Sequence, residues 1–252
     1  MTMNKIIAAS ALILSLSMIN VKSMAQKIDY KATTYKLFVS GKVSQWGTII
    51  KKMEKDPNCH SDINKIELLG YYYGYIGHLL DIKNKDAAAD MIEKADELLD
   101  YLMPKYPDNT LIMAYSANIT GYKIAISPLK ATILAKGMMA NSKKAISKSP
   151  NDATVNILTA NIMFYMPDVF GGDTERALKQ YHKALDMFDA DESLRHNNWM
   201  YLQLLVTTGL VEEKLKHYES AKLLYQRVLK LYPDYAHVRD NKYPNLIKKM
   251  NL

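Results

Sequence analysis

Along almost the whole chain, apolar residues recur at three- and four-residue intervals, with charged residues between them. No stretch alternates apolar and polar positions with β-branched enrichment, so helices are expected and a sheet is not. The periodic stretches predict five helix pairs: roughly 28–40 with 43–55, 62–82 with 86–105, 109–126 with 128–148, 152–166 with 173–188, and 193–213 with 217–232. The tail from Pro244 to Met250 predicts a final capping turn. Local residues mark the joints. Ser40-Gly41 links the first pair, and Asp86 is the expected N-cap before Ala87-Ala88-Ala89. Pro128 falls in a first helical turn, where proline is tolerated. Pro167 to Gly172 splits the fourth pair. There Gly171-Gly172 should make the turn, Asp173 should cap the next helix, and Phe170 should tuck under it as a staple.

The pairs are punctuated by a recurring phrase. It reads Lys55-Asp56-Pro57-Asn58, Lys105-Tyr106-Pro107-Asp108, Lys148-Ser149-Pro150-Asn151 and Leu231-Tyr232-Pro233-Asp234, at intervals of 50, 43 and 83 residues. Asp189-Ala190-Asp191 stands near the middle of the long interval. A unit of fixed length that carries its own helix stop predicts an all-α repeat array. Second helices carry matching stripes at i, i+4 and i+7: Ala221, Tyr225, Val228; Ala177, Tyr181, Ala184; Ala88, Ile92, Ala95. Each stripe lies on one face, where a small residue lets helix axes approach and a larger one fills the space beyond. Met138, Ser142, Ala145 and Trp46, Ile50, Met53 are weaker versions.

This pattern resembles the tetratricopeptide repeat (TPR). In the fifth pair Gly209, Ala221, Tyr225, Val228 and Pro233 take the motif's Gly, Ala, aromatic, Ala and Pro positions, with Tyr218 where an aromatic is often found. The second pair matches at Gly77 (one residue off), Ala88, Ile92 and Ala95, and the fourth at Ala177, Tyr181 and Ala184. About half the chain carries the resemblance directly. The units exceed the motif's ~34 residues, so the superhelix should depart from regular geometry. With its Tyr-Tyr-Tyr-Gly-Tyr and Phe-Gly-Gly-Asp segments, the chain also looks like exported TPR-type proteins of the Bacteroidetes. The resemblance implies an α-α superhelix of about five hairpins whose first helices line a concave surface. It brings no general activity with it.

The ends alter the picture. Lys5, the apolar run Ile6 to Met18 and Ser23-Met24-Ala25 read as a cleaved signal peptide over residues 1–25, leaving 26–252 as one repeat domain in the periplasm or outside the cell. The apolar run is shorter than the ~20 residues of a spanning helix, so no transmembrane segment is expected after cleavage. No cysteine lies near the cleavage site, which excludes a lipid anchor there, and the only cysteine, Cys59, cannot form an intrachain disulfide. The formal charge of +7 falls to +5 once Lys5 and Lys22 are removed. Only four basic residues are arginine, and the lysines are interleaved with acids, which argues against a nucleic-acid partner.

Candidate chemistry is sparse. Tyr71 to His78 could present an aromatic platform to a peptide or sugar, but rings at helical spacing are usually core, and packing is the favoured reading. On the expected concave face, Tyr115, Asn118 and Tyr122, then Asn161 and Tyr165, then Asn198 and Gln203, could meet an extended backbone or equally bridge helices. There is no Gly-x-Ser-x-Gly, no His-Glu-x-x-His and no His/Cys cluster with ligand spacing. No cofactor or metal is expected. The reading is an exported binding or scaffold protein that holds a protein or peptide partner through Tyr72, Tyr115, Asn118, Tyr122, Asn161 and Tyr165. The alternatives are capture of a glycan or peptide fragment by the tyrosine-rich region, or an enzyme site assembled from dispersed residues such as His78 and Cys59.

Overall fold

The computed structural model describes residues 28–251. The signal-peptide reading falls on residues 1–25, outside the described part. Eleven α-helices and no strand are found among the described residues. They are α1 (Tyr30–Val39), α2 (Trp46–Lys55), α3 (Asp62–Asp81), α4 (Lys85–Lys105), α5 (Thr110–Ile126), α6 (Ala131–Lys148), α7 (Ala153–Tyr165), α8 (Thr174–Ala190), α9 (Trp199–Lys214), α10 (Tyr218–Leu231) and α11 (Tyr243–Met250). The first ten form the five expected hairpins, and the eleventh follows a π-helical turn at His237–Lys242. None of these helices is long and apolar enough to cross a membrane.

The recurring phrase works as a stop followed by a start. In Pro107-Asp108-Asn109 and Pro150-Asn151-Asp152, the second residue after proline caps the next first helix. Asn109 accepts from the Ile112 amide at 3.0 Å, and Asp152 from the Val155 amide at 2.9 Å. Asp173 caps α8 as expected, accepting from the Arg176 amide at 2.9 Å. Three details differ from the sequence expectation. Asn84 rather than Asp86 caps α4, so that helix starts a residue earlier and Asp86 lies in its first turn. Helix α9 begins at Trp199 rather than near 193, because a 3-10 turn at Glu192–Arg195 and Asn197 at φ 49° intervene. Phe170 is 40% exposed and does not tuck under α8.

All five predicted stripes are buried. Ala221, Tyr225 and Val228 are fully covered, as are Ala177, Tyr181 and Ala184, and the weaker stripes of α2 and α6 are also inside. First helices form an inner layer in which α3, α5, α7 and α9 pack in succession, while second helices lie outside. Ion pairs within hairpins and between neighbouring ones span close to one repeat length. Lys105 reaches Asp62, 43 residues away, at 2.5 Å, and Lys148 reaches Asp108, 40 away, at 2.5 Å. Arg227 reaches Asp189, 38 away. The superhelix is thus built on units longer than 34 residues, as the phrase intervals required.

Glycines report how closely the layers meet. A Cβ at Gly209 would stand 2.5 Å from Cε1 of Tyr225, so Gly209→Ala should cost about 1–3 kcal/mol through overpacking. Gly137 in α6 has nothing within 4 Å of such a Cβ, and Gly137→Ala should instead stabilise by about 0.5–1 kcal/mol. Urea midpoints of the two variants, moving in opposite directions, would check the packing.

The inner layer also closes. Helix α1 packs against α9, and the Tyr35 and Tyr232 hydroxyls bond across 197 residues of sequence. Phe38 lies 5.5 Å from Trp199 and 6.2 Å from Tyr235, centroid to centroid. The first hairpin therefore docks on the last.

Candidate functional site

The middle of the inner face is occupied by the protein's own aromatic side chains. Gly70, Gly74 and Gly77 run along one face of α3, and each admits a ring from elsewhere. The Tyr115 hydroxyl faces Gly70, Trp46 and Trp199 crowd Gly74, and the Tyr122 hydroxyl faces Gly77. Trp46 and Trp199 meet edge to face at 5.2 Å, with Tyr73 at 6.3 Å from Trp199. Edge-to-face and offset ring pairs of this kind add to the area they bury.

The tyrosine run does not form a platform. Successive helical residues point about 100° apart, so the rings diverge. Tyr71 bonds Glu67 and packs on Trp46, while Tyr72 bonds Glu54, which Lys94 of α4 holds at 3.0 Å. Tyr73 enters the interior, and Tyr75 approaches Gly47 at the start of α2.

The six residues expected to contact a partner fall into three groups. Tyr72, Tyr115 and Asn118 are buried and fully engaged within the fold. Tyr72 lies between α2 and α4, Tyr115 points its hydroxyl at Met200 Sδ (3.8 Å), and Asn118 donates to the Ala114 and Leu158 carbonyls at 2.9 and 3.0 Å, tying α5 to α7. Tyr122 and Asn161 are half-buried members of a polar hub. The Asn161 amide donates to the Tyr73 hydroxyl at 2.6 Å and accepts from the Tyr181 hydroxyl at 2.5 Å, while Tyr122 stacks on Tyr73 at 5.5 Å. Burial pushes the phenol pKa values of Tyr73, Tyr122 and Tyr181 upward, so all three hydroxyls stay protonated. Asn161 is thus a bridge between α3, α7 and α8.

Only Tyr165 stands open, at 66% exposure. Burial by the surrounding protein, then the charge of Asp81, nevertheless raise its pKa. The same Asp81 charge reaches His78 and His237, where burial depresses the pKa values and the carboxylate opposes the shift. The Nε2 of His78 is buried and makes no hydrogen bond, while its ring stacks on Tyr75 at 6.2 Å.

Tyr165 borders an open depression of about 430 Å³ lined by Phe164, Leu210, Glu213, Lys214 and Lys249. Phe164 and Tyr165 meet edge to face at 4.8 Å, and the Lys214 ammonium lies 4.9 Å from the centre of the Phe164 ring. Lys249 pairs with Glu213 at 2.5 Å. The depression thus has an aromatic floor and a rim with both signs of charge. Of the residues lining this depression, the sequence reading named Tyr165 alone. The available signal was the Phe164-Tyr165 pair at a helix end just before Met166-Pro167, where the fold has little left to cover it.

Asn198 and Gln203, also expected to face inward, serve locally: Asn198 caps α9, and Gln203 donates to Thr207 at 3.0 Å. Glu212 is a buried carboxylate whose two oxygens meet His182 at 2.8 Å and His217 at 2.7 Å, fastening α8 and the α9–α10 turn to α9. Cys59 packs half-buried against the main core beside the α2–α3 turn. No group of three or more His, Cys, Asp or Glu with metal-holding geometry is found among the described residues. No protein-family model matches the chain, and no curated protein sequence matches it.

Proposed function

We propose that this is an exported, TPR-like binding protein that holds a protein or peptide partner in the cell envelope without making or breaking bonds. The observation that carries the reading is Tyr165, two-thirds exposed beside Phe164 over an open depression, in a fold that buries most of its other aromatics. Aromatic rings offer large contact area at low entropic cost, and Lys214, Lys249 and Glu213 offer donors and an acceptor to a peptide backbone or its side chains. In this reading the contact surface lies on the rim of the array. Its centre is filled by Trp46, Trp199 and the tyrosines around them.

The test is capture of tagged residues 26–252 from cross-linked envelopes of the native host, followed by mass spectrometry. A stoichiometric partner should be recovered, and Tyr165→Ala should reduce its recovery about tenfold or more, as expected for an interface anchor. Because Tyr165 is exposed, thermal unfolding of that variant should stay within about 0.5 kcal/mol of the parent. Equal recovery by both proteins would remove the depression from the interface, and absence of any partner would overturn the scaffold reading. The depression is also within the size range of small-ligand sites, which favours a glycan or peptide fragment as the second reading. Thermal-shift screening addresses it.

A further inference from the structure

The α5–α6 hairpin carries a one-sided charge pattern. Between Asp108 and Asp152 stand six lysines and no acidic residue. Lys123 and Lys148 are engaged with Asp96 and Asp108 of the preceding unit. Among the described residues Lys130, Lys136, Lys143 and Lys144 form no ion pair, and all four are exposed. On α6, Ile133, Lys136, Ala140 and Lys143/Lys144 follow one another at helical spacing along the face opposite the buried Ala135, Met138, Ser142 stripe.

One end of this basic face is apolar. Leu129 and Val169 are the most exposed large apolar side chains among the described residues, at 92% and 85%, and Ile133 is 79% exposed. They stand where two hairpin turns approach each other, with Ile133 in the first turn of α6. Leu129 is in the α5–α6 turn, Val169 in the α7–α8 turn, and a Cβ at Gly171 would stand 3.4 Å from the Met139 methyl of α6. Beneath them a small separate core of Ala117, Met138 and Ile162, joined by Ile124, Met139 and Met166, supports both turns. The apolar residues are therefore held outward by packed structure.

We propose that this corner docks on the surface of an anionic lipid bilayer, with Leu129, Ile133 and Val169 entering the headgroup region and the α6 lysines meeting the lipid phosphates. Apolar tips beside acid-free lysines are the combination that a charged interface rewards on both counts. A second copy of this face is a poor occupant, since pairing it with itself would set lysine against lysine. Nucleic acid is a poor occupant as well, because the face has no arginine. With no membrane-crossing helix among the described residues, attachment would be peripheral and reversible.

The experiment is co-sedimentation of residues 26–252 with vesicles of phosphatidylcholine alone or mixed with phosphatidylglycerol, at low and physiological salt. Sedimentation is expected only with the mixed vesicles, and it should weaken as salt rises. Changing Lys136, Lys143 and Lys144 together to glutamine should lower partitioning about a hundredfold. Leu129→Ser with Val169→Ser should lower it as well. These positions are exposed, so circular dichroism should be unchanged. Absence of sedimentation, equal binding to neutral vesicles, or variants that sediment like the parent would each overturn the proposal. Sensitivity to the lysine changes without sensitivity to the serine changes would also overturn it, indicating a soluble polyanion or an acidic protein as occupant.

Discussion

Trp199→Ala is expected to destabilise the protein by about 3–5 kcal/mol, a large part of the total stability of an ordinary domain. The indole is 8% exposed and lies against Phe38, Trp46 and Tyr73, with Gly74 leaving room for it on α3. Alanine would leave a cavity where three helices meet, and the neighbouring rings are too constrained to fill it. The variant should also loosen α1 specifically, because Phe38 loses one of its three aromatic partners. Urea unfolding gives the magnitude, and hydrogen exchange at residues 30–39 gives the location. Unchanged protection of α1 in a destabilised Trp199→Ala protein would falsify the closed arrangement.

Asn161→Leu should be nearly as damaging, at about 2–4 kcal/mol, for a different reason. Leucine keeps the branched outline of asparagine but is bulkier, so overpacking supplies part of the cost. What is lost is the acceptor for the Tyr181 hydroxyl, which is then stranded, and one of two hydrogen bonds at the Tyr73 hydroxyl, whose other partner is Tyr122. A buried polar group without a partner costs about 1–3 kcal/mol, and the lost bond to Tyr73 adds to it. The diagnostic is a double-mutant cycle. With Tyr181→Phe already in place, Asn161→Leu should cost at least 1 kcal/mol less than it does alone, since one orphan has been removed. Additive costs would show that the hub is not a coupled unit. A loss of partner binding in an Asn161 variant would follow from a disturbed fold, which is why Tyr165 is the position to test for binding.

Much of the architecture could be read from the sequence because its signals are local. Ala221, Tyr225 and Val228 are seven residues apart at most, and Pro107 with Asn109 marks a helix stop and start within three. Periodicity and caps of that kind survive without knowledge of the rest of the fold. Tyr71 to Tyr75 were only half legible: packing was favoured over a platform, yet Tyr72, expected to meet a partner, is buried against Glu54. Closure was not legible. Nothing near Phe38 indicates that Trp199 will reach it. The role of Asn161 was likewise undecidable locally. An amide on an inner helix face is a bridge or a contact according to whether Tyr73, 88 residues away, arrives opposite it. Tyr165 was named as a residue of the concave face, and its exposure at the helix end was not foreseen.

In an open repeat array each unit leans only on its neighbours, and the units can form one after another as the chain is made. The contact between Trp46 and Trp199, at 5.2 Å, breaks that order. The first hairpin has its partner in the fifth, so α1 and α2 must wait, with Phe38 and Trp46 uncovered, until α9 has been made. For a chain proposed to be exported before it folds, that delay suits the journey: α1 cannot lock until α9 has followed. These are also the only two tryptophans in the sequence, so the moment of locking carries its own fluorescence signal.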